Sequence, residues 1–161
     1  LVPRNTQDIG QEALYEAVRD AAATRTNLTF HGRLSYGDAN DLYDRAKLLV
    51  NTSDVEGFPN SYLHAWIRGV PVVTLIDPDR VIEREGLGVA ASSPDGLSRA
   101  IGALLGSPTA WQAASDRCRY FMAREFGEDK ILTAYLETFD DVMRSRPPNA
   151  RNFPTSEAPR A

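Results

Sequence analysis

Val50-Asn51-Thr52-Ser53-Asp54-Val55-Glu56-Gly57-Phe58-Pro59-Asn60-Ser61-Tyr62-Leu63-His64-Ala65-Trp66-Ile67-Arg68-Gly69-Val70-Pro71-Val72-Val73 reads as strand, loop, short helix, stop and strand. The apolar run Lys47 to Val50 ends where the turn-forming residues begin. Helical spacing takes over from Ser61 to Arg68, Gly69 stops it, and Val72 to Leu75 is β-branched enough to be a second strand. A strand, helix and strand in this order form a crossover that suits parallel strands, and the loop leaving the first strand then opens at the C-terminal edge of the sheet. Parallel sheets bind phosphorylated ligands at that edge, beside the N-terminus of the following helix.

The same alternation continues on both sides. Gln7 to Thr24 has an apolar stripe of Ile9, Leu14, Ala17, Val18, Ala21 and Ala22, with Asp8 as an N-cap. Asn27 to His31 reads as a short buried strand closed by Gly32, and Gly37-Asp38 opens a helix through Arg45. Downstream, Asp77-Pro78-Asp79-Arg80 is a turn-rich loop and Gly86 to Ala91 an edge strand. Ser93-Pro94-Asp95 caps a helix through Leu105. Ser107-Pro108 starts another, broken near Gly127, and Glu128 to Arg144 forms a last long one. Strands alternating with helices of about ten residues predict an α/β fold, a parallel sheet with helices on both faces and extra C-terminal helices. Residues 1–144 read as one domain. Residues 145–161, with Pro147, Pro148, Pro154 and Pro159, read as a flexible tail.

A chain of 161 residues has a one-domain length and buries about 68–70% of its unfolded surface without staples. Its 42% hydrophobic and 25% charged residues are ordinary for a soluble globular protein. The net charge of −4 argues against a broad nucleic-acid surface. Cys118 is the single cysteine, which excludes an internal disulfide and a cysteine-based zinc site and favours a reducing compartment. With no apolar run near the ~20 residues of a membrane span and no secretory pattern, a cytoplasmic location is expected. Asn27-Leu28-Thr29 and Asn51-Thr52-Ser53 match glycosylation acceptors by pattern only, since both fall at predicted strands. Leu1-Val2-Pro3-Arg4 reads as the end of a strand entering a loop, and also matches a thrombin cleavage site, so the chain reads as a piece of a longer protein.

The loop carries the chemistry. The first N–H groups of a helix lack intrahelical partners and carry partial positive charge. Gly57 allows close backbone approach, Pro59 stiffens the entry and Asn60 can cap the helix, so a diphosphate fits there. Glu56 does not suit a phosphate, because like charges repel. It suits sugar hydroxyls, from which a carboxylate accepts two hydrogen bonds. Spacing of four residues stacks Asn60, His64 and Arg68 on one polar face, with Tyr62, Leu63, Trp66 and Ile67 on the apolar side. The plainer alternatives are a favourable charge near a helix N-terminus for Glu56 and a solvated helix face for His64.

The segment resembles the signature of the retaining GT-B glycosyltransferases of the glycosyl transferase group 1 family. That signature is a Glu, seven residues, a second Glu, a small helix and a Gly-x-Pro-Val-Val strand. Glu56-Gly57-Phe58-Pro59-Asn60 and Gly69-Val70-Pro71-Val72-Val73 match it. Phe30-His31-Gly32-Arg33-Leu34, the Asp77 to Ile82 loop, Gly86-Leu87-Gly88 and the helix from Phe126 resemble its flanking elements. The resemblance runs from about Asn27 to Phe139. It departs at His64, which stands at the second Glu, and at Arg80, where many relatives have Gly.

The resemblance implies half of a GT-B enzyme: a Rossmann-like donor-binding domain, N-terminally truncated, whose other domain binds most of the acceptor. A sugar would pass from a nucleotide-diphosphate donor to an acceptor glycan, lipid or small molecule, with retention and without a cofactor or metal. Glu56 would be the catalytic residue, on the sugar hydroxyls. Gly32, Arg33, Ser53, Gly57, Phe58, Pro59, Asn60 and His64 would form the donor site, with His64 on the ribose and Gly32 and Arg33 in the base wall. Basic residues that neutralise the diphosphate would lie upstream. The partners implied are the donor, the acceptor and the missing N-terminal domain, with no nucleic acid; peripheral membrane association of the longer protein is compatible with this. The other readings are a decayed glycosyltransferase-like scaffold, motivated by His64, and a flavodoxin-like or receiver domain, for which the first acidic strand is missing.

The remaining candidates have plain readings. Arg4, Arg33, Arg80 and Arg84 serve phosphates or lie on the surface. Asp77, Asp79, Glu83 and Glu85 bind metal or form a solvated acidic loop, and lack EF-hand spacing. His31 lines a base pocket or is structural, and Cys118 reads as a buried thiol.

Overall fold

The computed structural model describes residues 6–53 and 55–145, with the side chains of 6–11 outside that description. Leu1 to Arg4, Asp54 and the expected tail beyond Ser145 therefore lie outside the described residues. The chain separates into two compact units, residues up to Leu42 and residues from Tyr43.

The first unit contains helix α1 (Thr6–Ala23) and the start of α2 (Tyr36–Arg45). Helix α1 begins two residues before the expected cap, Asp8. The Tyr15 ring meets the edge of Phe30 at 4.9 Å and 77°, which ties the helix to the segment after it. Ser35 caps α2: its Oγ accepts from the Asp38 N–H at 3.2 Å and donates to the Asp38 carboxylate at 2.6 Å. The strand expected over Asn27–His31 does not form. A strand needs a ladder, and within this unit no second strand is found among the described residues to supply one.

The second unit is a three-stranded parallel sheet, β1 (Leu49–Asn51), β2 (Val72–Thr74) and β3 (Gly88–Ala90), in the order β1-β2-β3. Val72 pairs with Leu49 on one side and Gly88 on the other. Helix α3 (Asn60–Trp66) links β1 to β2. A 3₁₀ turn (Pro78–Arg80) and α4 (Val81–Glu85) link β2 to β3. Helices α5 (Pro94–Gly106), α6 (Pro108–Phe126) and α7 (Glu128–Ser145) follow. Helix α4 falls where only a loop was expected, because five residues are too few for periodicity to show.

Period-two alternation along β2 divides the core. Val72 faces Tyr62, Trp66, Val81, Ile82, Leu87, Cys118 and Phe121, so α3, α4 and α6 cover one face. Val73 faces Leu97, Ala100 and Leu104 of α5 on the other. The result is an α/β sheet with helices on both faces, as the sequence pattern predicts, and Rossmann-like, as the family resemblance implies. Gly69 has φ +72°, and its N–H bonds the Trp66 carbonyl at 2.9 Å, closing α3. A Cβ there would lie 2.4 Å from the Arg119 guanidinium carbon, which helps explain a glycine at this stop. Ser93 and Ser107 cap α5 and α6 through the N–H groups of Gly96 and Ala110. Both helices carry proline in the first turn, as their sequences predict.

Candidate functional site

In a parallel sheet the loops that leave the strands gather at one edge. Here they are the segments after Asn51, after Thr74 and after Ala90. The first carries most of the candidate residues. Ser53 is half-buried, and its N–H bonds the Asn51 side-chain oxygen at 2.8 Å, which turns the chain out of β1. Glu56 and Gly57 are exposed. Gly57 has no positive φ, and a Cβ there would meet nothing within 4 Å. Neither strain nor crowding from the described residues demands glycine at that position. Phe58 is half-exposed and presents its ring to Trp66 at 6.0 Å and 72°, so the loop is anchored on α3. Pro59 is buried.

The helix start differs from expectation. Asn60 is the first helical residue instead of the cap. Pro59 occupies the cap position, so no side chain caps α3, and the Pro59 carbonyl accepts from the Tyr62 N–H at 3.0 Å. The expected polar face is present lower down. His64 is half-buried, its ring stacked on Tyr43 at 5.9 Å and 29°. Arg68 donates to the His64 carbonyl at 3.1 Å, pairs with Asp44 and lies 6.0 Å from the Tyr43 ring. Burial raises the Tyr43 phenol above its ordinary range, against the lowering pull of Arg68. Ile67, expected on the apolar side, is 60% exposed because α3 ends at Trp66 and the last turn swings it outward.

A third group was not singled out from the sequence. Tyr62 is fully buried, yet its hydroxyl has three partners: Thr74 Oγ1 at 2.7 Å, the Ile76 carbonyl at 3.3 Å and Asn51 Nδ2 at 3.3 Å. Thr74 Oγ1 also accepts from the Ile76 N–H at 3.0 Å. These bonds tie together the ends of β1 and β2 and the middle of α3. The available signal was a tyrosine among apolar helix residues, whose buried hydroxyl requires a partner, and polar residues at two strand ends.

The loop after Thr74 is cross-linked within itself. Asp77 accepts from the N–H groups of Ile82 at 2.8 Å and Glu83 at 3.0 Å, one on each oxygen. Arg80 pairs with Glu83 at 2.9 Å, and Arg84 donates to the Asp79 carbonyl at 3.1 Å. Glu85 pairs with Arg84 at 3.3 Å and with Arg124 at 2.8 Å. Asp79 and Arg80 both take left-handed backbone, at φ +52° and +53°. That conformation favours glycine, the residue many relatives are expected to carry in place of Arg80. Among the described residues, no three His, Cys, Asp or Glu side chains gather into a set able to hold a metal ion. Cys118 is buried, and burial pushes its thiol up to about 12, which makes it inert.

Gly32 and Arg33 belong to the first unit. Both are exposed; Gly32 has φ +62°, and a Cβ there would lie 3.0 Å from the Tyr15 hydroxyl. The second unit brings Ser53, Glu56, Gly57, Phe58 and Pro59 together on one loop, continuous with Asn60 and His64 on α3.

No helix among the described residues is long and apolar enough to cross a membrane. No curated protein and no solved structure matches the chain. A family model described as glycosyl transferases group 1 matches residues 8–107, more than half of the sequence. The match begins in α1 and ends just beyond α5, so it covers the Glu56 loop, α3 and the Asp77 loop but not α6 or α7. A parallel α/β sheet whose edge carries these two loops, and whose sequence fits the family through both, makes this chain a member of the glycosyl transferases group 1, a family of enzymes that transfer glycosyl groups.

Proposed function

We propose that the chain is the donor-binding domain of a retaining glycosyltransferase of the GT-B type and that Glu56 holds the hydroxyls of the transferred sugar. The observation that carries this is the family match running through an exposed Glu56 at the sheet edge, beside an α3 start that no side chain caps. The N–H groups around Gly57, Phe58 and Asn60 then face phosphate or sugar oxygens, and His64 takes the ribose. In the reaction the bond from the anomeric carbon to the diphosphate oxygen breaks. The acceptor hydroxyl oxygen forms the new bond on the same face, and its proton passes to the leaving diphosphate. The protein contributes position and charge stabilisation rather than a nucleophile. No metal or other cofactor is needed in this scheme. A second domain supplies acceptor contacts and the cations for the diphosphate, so the 161-residue chain binds donor weakly and does not transfer.

Titration of the chain with UDP, GDP, ADP and their glucose or mannose conjugates, followed by amide NMR, tests this reading. Shifts are expected at Glu56, Asn60 and His64. Silence at all three at millimolar ligand overturns it.

One observation favours a second reading, an adapted or decayed site. The His64 ring already packs on Tyr43, and its carbonyl already accepts from Arg68. If nucleotide affinity rises in His64→Glu, the natural residue reflects decay; if it falls, the histidine is adapted to its ligand.

A further inference from the structure

We propose that the Tyr62 hydroxyl is a positioning residue that locks the loop after β1 and the loop after β2 into one arrangement, so that ligand contacts made by the two loops are set together. The ligand part of this inference rests on the donor-binding reading above. The lock itself rests on hydrogen-bond accounting. A phenol donates one proton and accepts two bonds. Asn51 Nδ2 can only donate, so Tyr62 accepts there. The Ile76 carbonyl can only accept, so Tyr62 donates there. The 2.7 Å contact with Thr74 is then satisfied by the Thr74 proton, and Thr74 Oγ1 in turn accepts the Ile76 N–H. Thr74, Tyr62 and Ile76 thus form a closed ring of bonds, with Asn51 attached through the phenol. In that arrangement every polar hydrogen of the ring is used.

The position of the ring gives it consequence. Asn51 uses its other side-chain atom to hold the Ser53 N–H, the first turn of the loop that carries Glu56. Ile76 immediately precedes Asp77, whose carboxylate organises α4. One hydroxyl, fully buried on a helix between the two strands' loops, therefore fixes the first turn of each. The Tyr62 ring packs in the core with Trp66 at 5.6 Å, so removing the hydroxyl leaves the packing in place.

The test reads sites one bond away from the atom removed. The Ser53 and Ile76 N–H groups do not bond Tyr62, and in Tyr62→Phe their own acceptors remain. Hydrogen exchange by NMR on the full chain is expected to show both amides exchanging about tenfold faster, while the Val73 amide keeps its protection. Thr74→Val removes the Ile76 acceptor itself, so there only the Ser53 amide reads the lock; it should exchange faster, and Thr74→Ser, which keeps the hydroxyl, should restore protection at both amides. Affinity for whichever of UDP, GDP and ADP the wild type binds is expected to fall about three- to tenfold in Tyr62→Phe.

Unchanged exchange at either Ser53 or Ile76 overturns the lock. So does equal acceleration at Val73, which would mean general loss of stability. Paired acceleration with unchanged nucleotide affinity overturns the positioning role. A wild-type chain that binds none of UDP, GDP and ADP removes the donor reading, and with it the ligand part; the paired exchange then decides the lock alone. If Tyr62→Phe fails to fold, the Ser53 amide in the Thr74 pair decides: faster exchange in Thr74→Val that Thr74→Ser reverses supports the lock, and unchanged exchange overturns it.

Discussion

Two loops leave the same edge of the sheet and are held in opposite ways. The loop after β1 is fixed at its ends, by Asn51 on the Ser53 N–H and by Phe58 against Trp66, and leaves Glu56 and Gly57 exposed between them. The loop after β2 is bonded throughout: Asp77 on two N–H groups, Arg80 on Glu83, Arg84 on the Asp79 carbonyl. A carboxylate that already accepts two backbone donors is committed to structure, whereas one presented on a tethered but open loop is available to a ligand. Sequence places acidic residues in both loops. Their hydrogen-bond partners differ.

The largest expected effect breaks the first loop's anchor. Trp66 is fully buried against Phe58, Tyr62 and Phe121, so Trp66→Ala should cost about 3–5 kcal/mol. Trp66→Phe should cost far less, because the indole N–H has no hydrogen-bond partner among the described residues and its loss removes a burial penalty. Urea unfolding of both variants measures this. A Trp66→Ala loss below about 1 kcal/mol would mean that the loop is not anchored through this ring.

The second loop breaks more cheaply. Asp77→Ala removes both acceptors at the start of α4 and should destabilise by about 1–2 kcal/mol. Glu56→Ala, on an exposed site, should stay within about 0.5 kcal/mol. Denaturation midpoints of the two variants sharpen the contrast directly. Equal losses would show that Glu56 has a structural tie of its own.

Much of this architecture was legible beforehand, for physical reasons. The alternation of β-branched runs with helical spacing is a many-residue signal, and it located β1, β2, β3 and helices α3, α5, α6 and α7 to within a few residues, while the five-residue α4 escaped it. Gly69 was readable as a stop because a left-handed closing residue favours glycine. What failed depended on partners. Asn27–His31 has strand composition but no ladder in its own unit. Asn60 has cap chemistry, yet the helix starts one residue earlier than such a cap requires. Tyr62 fell on the apolar side by periodicity, which is where its ring sits, but periodicity carries no information about the hydroxyl. The left-handed backbone at Arg80 was also invisible in composition, since arginine does not favour it; Asp79 is of a type enriched in that region but gave no distinct signal. Glu56, singled out from the sequence, lies exposed on the loop after β1.

The smallest expected effect concerns how α4 is pinned at its far end, where charge takes the place of the aromatic contact that holds the first loop. Arg124 of α6 donates to Glu85 at 2.8 Å, and with Arg84 it lowers the Glu85 carboxyl below the usual carboxylate range. A lowered folded-state value means that the pair stabilises the fold above the ordinary glutamate range, about pH 4.3, and that this contribution is lost as pH falls through the folded value. Arg124→Gln should therefore lower the urea midpoint slightly at pH 7, and the difference from wild type should fade as the pH is taken below that range. Glu125, also lowered, by Lys130 first and then Arg124, contributes in the same direction. High salt should shrink the difference at pH 7, because exposed pairs are screened. A gap that persists unchanged at low pH and in high salt would mean that Arg124 acts by packing over the rings of Tyr120 and Phe121, at 5.5 and 5.7 Å, instead of by charge. The two loops would then both be held, at a distance, by the same aromatic core.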